Sequence, residues 1–264
     1  MLAIIRFVVL LGYFILINTF LLIVFIIRPL HRNNVKLAGK VYSTMSRIVG
    51  VKLVYRCSKN IKPNESYVYI ANHQNSYDLM TVSHAAEPGV VTMGKKSLKW
   101  IPIFGLIYWL SGNILIDRKN TGRARDTLSA TGKTMKKRNL SIWIFPEGTR
   151  SRGKGIQPFK TGAFRLALSE KKKIVPVVCS DITNGKIKFN RWNNGIVIIE
   201  TLDLYDLLIE GKYNIKKRLR SGDVVFVEAR KNIVTIDGAI NRPAKYEALD
   251  DQKLISIIES LLPL

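Results

Sequence analysis

The most apolar part of the chain lies at its N-terminus. Residues 7–27, FVVLLGYFILINTFLLIVFII, carry no charge and are interrupted mainly by Asn18 and Thr19. As a helix this run would be about 31 Å long, enough to cross a hydrocarbon core. A cleaved signal peptide fits less well, because the run is long and is followed by RPLHR. The pattern predicts a retained membrane helix, and Gly12, Asn18 and Pro29 leave open a helix pair within one leaflet.

After this segment, short apolar runs alternate with helical patterns. Strand-like runs rich in β-branched and aromatic residues are SYVYIANH, GVVTMGKK, LSIWIFPEGTR and KIVPVVCSDI. Helical patterns are DLMTVSHAA, TGRARDTLSATGKTMKKR and TGAFRLALSEK. The alternation predicts an α/β fold with a mixed, largely parallel sheet flanked by helices. We expect an anchor over residues 1–36 and one domain over residues 37–264. Within that domain GDVVFVEA and NIVTIDG are later strand candidates, and DDQKLISIIESLL is a candidate terminal helix.

Charge is distributed unevenly along the chain. The formal net charge is +23, and no Asp or Glu precedes Glu65, whereas residues 1–64 contain ten Lys or Arg. Such a field attracts nucleic acid, anionic lipid or phosphorylated small molecules. Because basic residues follow the apolar run, the positive-inside tendency predicts that the domain lies in the cytoplasm. Cys57 and Cys179 stand far apart without a CxxC pair, which argues against structural zinc or a disulfide framework.

The stretch NHQNSYD, residues 72–78, places a histidine and an aspartate after an apolar strand. In one continuous helix, residues five apart diverge around the axis. His73 and Asp78 meet if the strand ends near Ala71 and a helix begins near Ser76 or Tyr77. Asp78 could then orient the His73 ring and leave its other nitrogen as a general base. The alternative is a polar turn between a strand and a helix.

Two further motifs point to anion binding. In FPEGTRSRGKG, residues 145–155, a strand enters a turn that would expose the Gly148 amide and place Arg150 nearby, suited to an oxyanion such as phosphate. The alternative is a capped turn with a solvated basic loop. In GNILIDR, residues 112–118, an apolar strand ends on Arg118, and the alternative is a surface ion pair with Asp117.

Together these motifs resemble the glycerolipid acyltransferase family, and within it the bacterial lysophosphatidic acid acyltransferases. The resemblance rests on four ordered blocks between about residues 70 and 178. They are NHQNSYD as the NHx4D signature, GKKSLKWIPIFGLIYWLSGNILIDR, FPEGTRS and IVPVV. It implies that residues 37–264 form an acyltransferase domain whose motif core spans about residues 66–185.

The resemblance also implies roles for individual residues. His73 would be the general base and Asp78 its partner. Arg118 would contact the phosphate of the acceptor, and Lys95 would assist in binding the substrate. Ser97 departs from the family pattern, in which many members have glutamate, and leaves the role of that position open. The third motif would shape the glycerol-phosphate pocket with Glu147, Gly148, Thr149 and Arg150.

The implied reaction moves an acyl group to the sn-2 hydroxyl of lysophosphatidic acid. The donor would be acyl-CoA or acyl carrier protein, anionic membrane lipids would be further partners, and neither a metal nor a bound cofactor is required. One alternative is a sibling enzyme that acylates another lyso-lipid or glycerol 3-phosphate. Another is a membrane-tethered binder of nucleic acid or anionic lipid without enzymatic activity. The binder leaves the ordered motifs unexplained, so the resemblance implies no nucleic-acid partner.

Four aromatic residues in the second block allow two interpretations. They could line an acyl groove or dip into the bilayer, or they could serve ordinary core and interfacial packing. They are Trp100, Phe104, Tyr108 and Trp109.

Overall fold

A seven-stranded sheet forms the centre of the fold. The computed structural model describes residues 1–58, 61–62, 65–117, 121–202, 233–236 and 244–247. The strands lie in the order β1-β7-β6-β2-β5-β3-β4. All neighbouring pairs in this sheet are parallel except β6 and β7. Their bounds are β1 Lys52–Arg56, β2 Val68–Ala71, β3 Val90–Lys95, β4 Ile114–Ile116, β5 Ser141–Ile144, β6 Ile174–Cys179 and β7 Ile196–Thr201. The predicted fold class is confirmed.

Helices cover both faces of the sheet. Alternate residues of a strand point to opposite faces, and β2 divides its side chains accordingly. Val68 and Ile70 join a core cluster with residues of α5 and α6, whereas Tyr69 and Ala71 join a second cluster that includes α1 residues. All four residues of β2 are buried, which explains its uninterrupted apolar sequence. The helices are α1 Leu2–Ile27, α2 Asn34–Ser43, α3 Met45–Ile48, α4 Phe104–Leu110, α5 Thr121–Arg138 and α6 Gly162–Glu170.

The N-terminal helix α1 lies along the domain. It is long and apolar enough to cross a membrane, yet it contacts the rest of the chain near both of its ends. Near the N-terminal end, Arg6 donates hydrogen bonds to the carbonyls of Phe189, Arg191 and Trp192. Near the C-terminal end, Phe25 is fully buried. The opposite face of α1 remains exposed and apolar.

One predicted helix was wrong. The stretch DLMTVSHAA forms two short 3-10 helices, Ser76–Leu79 and Val82–Ala85. The β-branched residues Thr81 and Val82 lie where the two meet, and such residues fit an α-helix less well than unbranched ones.

Strand β7 was not predicted, although its sequence IVIIET is rich in β-branched residues. It completes the sheet between β1 and β6. The candidate strand GDVVFVEA and the candidate terminal helix lie outside the described residues. In the C-terminal unit, Phe226–Leu264, the stretch NIVTIDG contains β8, Ile233–Ile236, which pairs antiparallel with β9, Ala244–Glu247.

Candidate active site

The His–Asp pair of NHQNSYD lies just after β2. The strand ends at Ala71 and a 3-10 helix begins at Ser76, so the chain turns at His73. His73 Nδ1 lies 2.6 Å from Asp78 Oδ2, and the same oxygen accepts the Gln74 N–H at 2.8 Å. Asp78 is buried, while the His73 side chain is 18% exposed. Within the described part of the chain, His73 Nε2 makes no hydrogen bond. This nitrogen can accept a proton from a bound substrate.

Glu147 of FPEGTR holds the backbone at His73. Its Oε1 accepts the His73 N–H at 2.7 Å, and its Oε2 accepts the Gln157 N–H at 3.0 Å. The residue is only 3% exposed. A buried carboxylate needs such donors, because an uncompensated charge is costly in the interior. The geometry therefore shows Glu147 as a residue that positions the histidine.

Two other residues of the FPEGTRS stretch also contact the histidine. The Phe145 ring stacks on the His73 ring with centroids 4.1 Å apart. The Ser151 N–H donates to the His73 carbonyl at 2.8 Å. Strand β5, which precedes the loop, lies directly beside β2, and parallel strands end at the same edge. The first and third motifs therefore form one site at the carboxyl edge of the sheet.

The Gly148 turn differs from the sequence-based expectation. The Gly148 N–H donates to the Phe145 carbonyl at 3.0 Å, so the amide closes the turn and is not exposed to receive an oxyanion. Gly148 has a φ of +68°, a conformation that favours glycine. Thr149 and Arg150 follow it with exposed side chains. Of the four third-motif residues, Arg150 offers the cation for phosphate.

Lys95 lies further along the same edge of the sheet. It ends β3, and β5 separates β3 from β2, which places the two strands about 10 Å apart. Here a cavity of about 430 Å³ is lined by Lys95, Lys96, Ser97, Lys99, Trp100, Ile116 and Asp117. Many family members have glutamate at the position of Ser97. The serine contributes no negative charge to this cavity wall, which carries three lysines. Arg118 lies outside the described residues.

The four aromatic residues of the second block divide into two pairs. Phe104 and Tyr108 face inward: the Phe104 ring lies 6.3 Å from that of Tyr42, and Tyr108 Oη lies 2.7 Å from Thr92 Oγ1. Trp100 and Trp109 are 76% and 54% exposed. Core packing explains the first pair, and the second pair remains available for contact with lipid.

Cys179 is the nearest thiol to the site but is not suited to act as a nucleophile. Its backbone carbonyl accepts a hydrogen bond from Asn72, next to His73. Burial raises the pKa of Cys179 to about 12, so the thiol stays protonated at neutral pH. Within the described ranges, no group of three His, Cys, Asp or Glu residues could hold a metal ion.

Comparison with known proteins agrees with the motifs. A family model described as Acyltransferase matches residues 52–180. The 1-acyl-sn-glycerol-3-phosphate acyltransferase of Haemophilus influenzae is 45% identical over 190 residues, covering 72% of this chain and 79% of that protein. The protein of the same name from Escherichia coli is 43% identical over 217 residues, covering 82% and 88%. This chain belongs to the 1-acyl-sn-glycerol-3-phosphate acyltransferase family.

A solved structure supports the fold of this family member. The 1-acyl-sn-glycerophosphate (LPA) acyltransferase from Thermotoga maritima superposes with a TM-score of 0.57 at 21% identity. The match covers 76% of this chain and 86% of that one. At this identity the likeness concerns the fold.

The sequence analysis missed the amide residues that hold the acyltransferase site together. Asn72 and Cys179 exchange two hydrogen bonds, Nδ2 to the carbonyl at 3.0 Å and N–H to Oδ1 at 2.9 Å. Gln74 Nε2 donates to the carbonyls of Cys179 and Ser180, and Gln74 Oε1 accepts the Ile182 N–H. These side chains extend the β2–β6 pairing beyond the end of the strand. The signal was present in NHQN, where three amides flank one histidine.

Proposed function

We propose that this protein transfers an acyl group from a thioester donor to the sn-2 hydroxyl of 1-acyl-glycerol 3-phosphate, giving phosphatidic acid for phospholipid synthesis. The observation that carries the proposal is the His73–Asp78 pair at the edge of the sheet, with Nε2 making no hydrogen bond to any described residue. The 43–45% identical relatives named above support the choice of acceptor. Acyl-CoA and acyl carrier protein are both thioesters, and either fits the chemistry.

The reaction needs no covalent acyl-enzyme. His73 Nε2 takes the proton of the sn-2 hydroxyl while Asp78 holds Nδ1 and stabilises the imidazolium. The hydroxyl oxygen attacks the thioester carbonyl and forms a tetrahedral oxyanion. Collapse of this intermediate breaks the carbon–sulfur bond, and the leaving sulfur receives the proton from His73. Base assistance of this type contributes about 10²- to 10⁴-fold, and positioning and charge stabilisation supply the rest.

Cations near the histidine suit the phosphate of the acceptor. Arg150 lies on the FPEGTR turn, and Lys95 lies at the end of β3. The resemblance assigns the same task to Arg118. Glu147 acts in this proposal through the His73 backbone, and Gly148 and Thr149 shape the turn.

The membrane contact fits a helix that lies in one leaflet. Because α1 packs along the domain, an α1 perpendicular to the membrane plane would place part of the domain in the hydrocarbon region. Its exposed face carries large apolar side chains, among them Phe7, Ile15, Leu16 and Phe20, which suits burial in acyl chains. Basic residues that follow α1 favour anionic lipid headgroups and the cytoplasmic side of the cell membrane.

The decisive experiment measures thiol release by purified protein with and without lysophosphatidic acid, for both donors. His73→Ala should abolish turnover while the protein still folds, with a lower thermal midpoint because buried Asp78 loses the ring as a partner. Asp78→Asn should cost less activity but some stability, because Asp78 also binds the Gln74 N–H. His84→Gln is a matched control, since His84 bonds Ser43 away from the site. Near-normal turnover by His73→Ala would refute the mechanism.

A further inference from the structure

A lysine outside the recognised motifs lies against the FPEGTR turn. Lys160 precedes α6, fifteen positions after Phe145. Its N–H donates to the Pro146 carbonyl at 2.8 Å, which fixes its backbone beside the loop. The sequence PFKTGAF gives no hint of this placement, because a single lysine before a helix is ordinarily a solvated surface residue.

The side chain of Lys160 lies against Gly148, on the side where any other residue would carry its Cβ. A Cβ added at Gly148 would lie 2.9 Å from Lys160 Cε and 3.0 Å from Nζ. The missing side chain of the glycine therefore leaves the space in which the lysine lies. Gly148 directly follows Glu147, which binds the His73 N–H. The ammonium therefore lies against the residue that follows the glutamate bound to the His73 N–H.

Lys160 has no acidic partner among the residues that the structure describes. Within the described part of the chain, no carboxylate lies within 4.0 Å of its Nζ. Glu147 is the nearest acid along the turn, and both of its oxygens accept backbone N–H groups. Lys160 and Arg150 are both exposed. Two exposed cations therefore lie at the turn whose Glu147 binds the His73 N–H.

We propose that the Lys160 ammonium binds the phosphate of the acyl acceptor, together with Arg150. The inference rests on the proposed function, because it takes lysophosphatidic acid as the acceptor. In that molecule only two carbons and one ester oxygen separate the reacting hydroxyl oxygen from the phosphorus, so the phosphate must lie close to His73. An oxyanion role fits less well, because transition-state stabilisation of that kind relies on donors shielded from water, and Lys160 is exposed.

Steady-state kinetics with each substrate varied separately test this assignment. Lys160→Met keeps most of the stem and removes the charge, and Lys160→Arg keeps the charge. Lys154→Ala is the control, because it removes one exposed cation from the same loop. We expect Lys160→Met to raise the KM for lysophosphatidic acid about tenfold, the lower end for a charge-assisted contact. The kcat, the donor KM and the thermal midpoint should change little. Lys160→Arg should retain most of the affinity.

Other outcomes would overturn the assignment. An unchanged acceptor KM in Lys160→Met would show that the ammonium does not bind the phosphate, and an equal effect of Lys154→Ala would indicate general attraction by the loop. A fall in kcat at constant KM would move Lys160 to the oxyanion, and a rise in donor KM would move it to the phosphates of the donor. Failure of the proposed function is seen separately, as absence of turnover of lysophosphatidic acid by the unaltered protein.

Discussion

Substitution of Glu147 by glutamine separates two roles for the FPEGTR glutamate. The resemblance implies a part in the glycerol-phosphate pocket, whereas the structure shows both oxygens bound to the N–H groups of His73 and Gln157. Glutamine keeps one acceptor oxygen but turns an amide NH₂ toward the second N–H. One charge-assisted hydrogen bond is lost and one buried donor is left unpaired.

The expected size of the effect follows from that lost bond. A hydrogen bond to a charged group contributes about 1.5–3 kcal/mol. For a domain of this size, each 1 kcal/mol lowers the thermal midpoint by roughly 2–4 °C, so Glu147→Gln should lower it by about 3–12 °C. Displacement of His73 should also reduce kcat by about tenfold to a hundredfold, since misplacement by about 1 Å has effects of this order. The KM for lysophosphatidic acid should change little.

Thermal unfolding and steady-state kinetics on the same preparation provide the assay. Glu87→Gln is the matched control, because Glu87 is also a hydrogen-bonded carboxylate, paired with Tyr55 and Lys36 away from the site. It should lower the midpoint without a comparable loss of kcat. If Glu147→Gln raises the KM for lysophosphatidic acid while kcat and the midpoint stay unchanged, the glutamate contacts substrate and the positioning argument is wrong.

Three further predictions follow from the fold and the motifs. Deleting residues 1–30 should destabilise the whole domain as well as weaken membrane binding, because fully buried Leu21 and Phe25 belong to its core; a truncated protein with an unchanged thermal midpoint would contradict this. Burial and nearby Lys40 lower the pKa of His84, so the unfolded state binds more protons and stability should fall as the pH drops below about 6.5. Thermal midpoints from pH 7.5 to 5.5 should therefore fall less in His84→Gln. Arg118→Ala should raise the KM for lysophosphatidic acid and not that of the donor, and the opposite pattern would assign Arg118 to the donor.

The sequence predicted the sheet because local patterns report strands directly. Runs such as SYVYIANH and KIVPVVCSDI are β-branched, apolar and bounded by polar residues, and both became central strands. The turn at His73 also followed from spacing, since only a break between Ala71 and Ser76 lets His73 meet Asp78. One predicted helix was wrong: DLMTVSHAA contains the adjacent β-branched residues Thr81 and Val82 and forms two short 3-10 helices instead.

The supporting contacts of the site could not be predicted, because they join residues far apart in the chain. The Glu147 bond to the His73 N–H spans 74 positions, and the bonds of Asn72 to Cys179 span 107. Separations this long lie beyond the short stretches of sequence from which helices, strands and turns are predicted. Such contacts become visible only once β5 and β6 lie on either side of β2.

The arrangement of those three strands explains why motifs far apart in the chain meet at one site. Strand β2 delivers the histidine, β5 on one side delivers the FPEGTR turn, and β6 on the other side ends at Cys179. Each neighbour supplies a different constraint on the histidine: Glu147 fixes the N–H of His73, and the β6 end binds the amides of Asn72 and Gln74. In the proposed reaction His73 removes a proton at one defined position, and its backbone must be held in place for that task. The third block and the residues that follow the fourth therefore hold the backbone around His73, and we expect substitutions that break these contacts to lower kcat even where the residue never touches substrate.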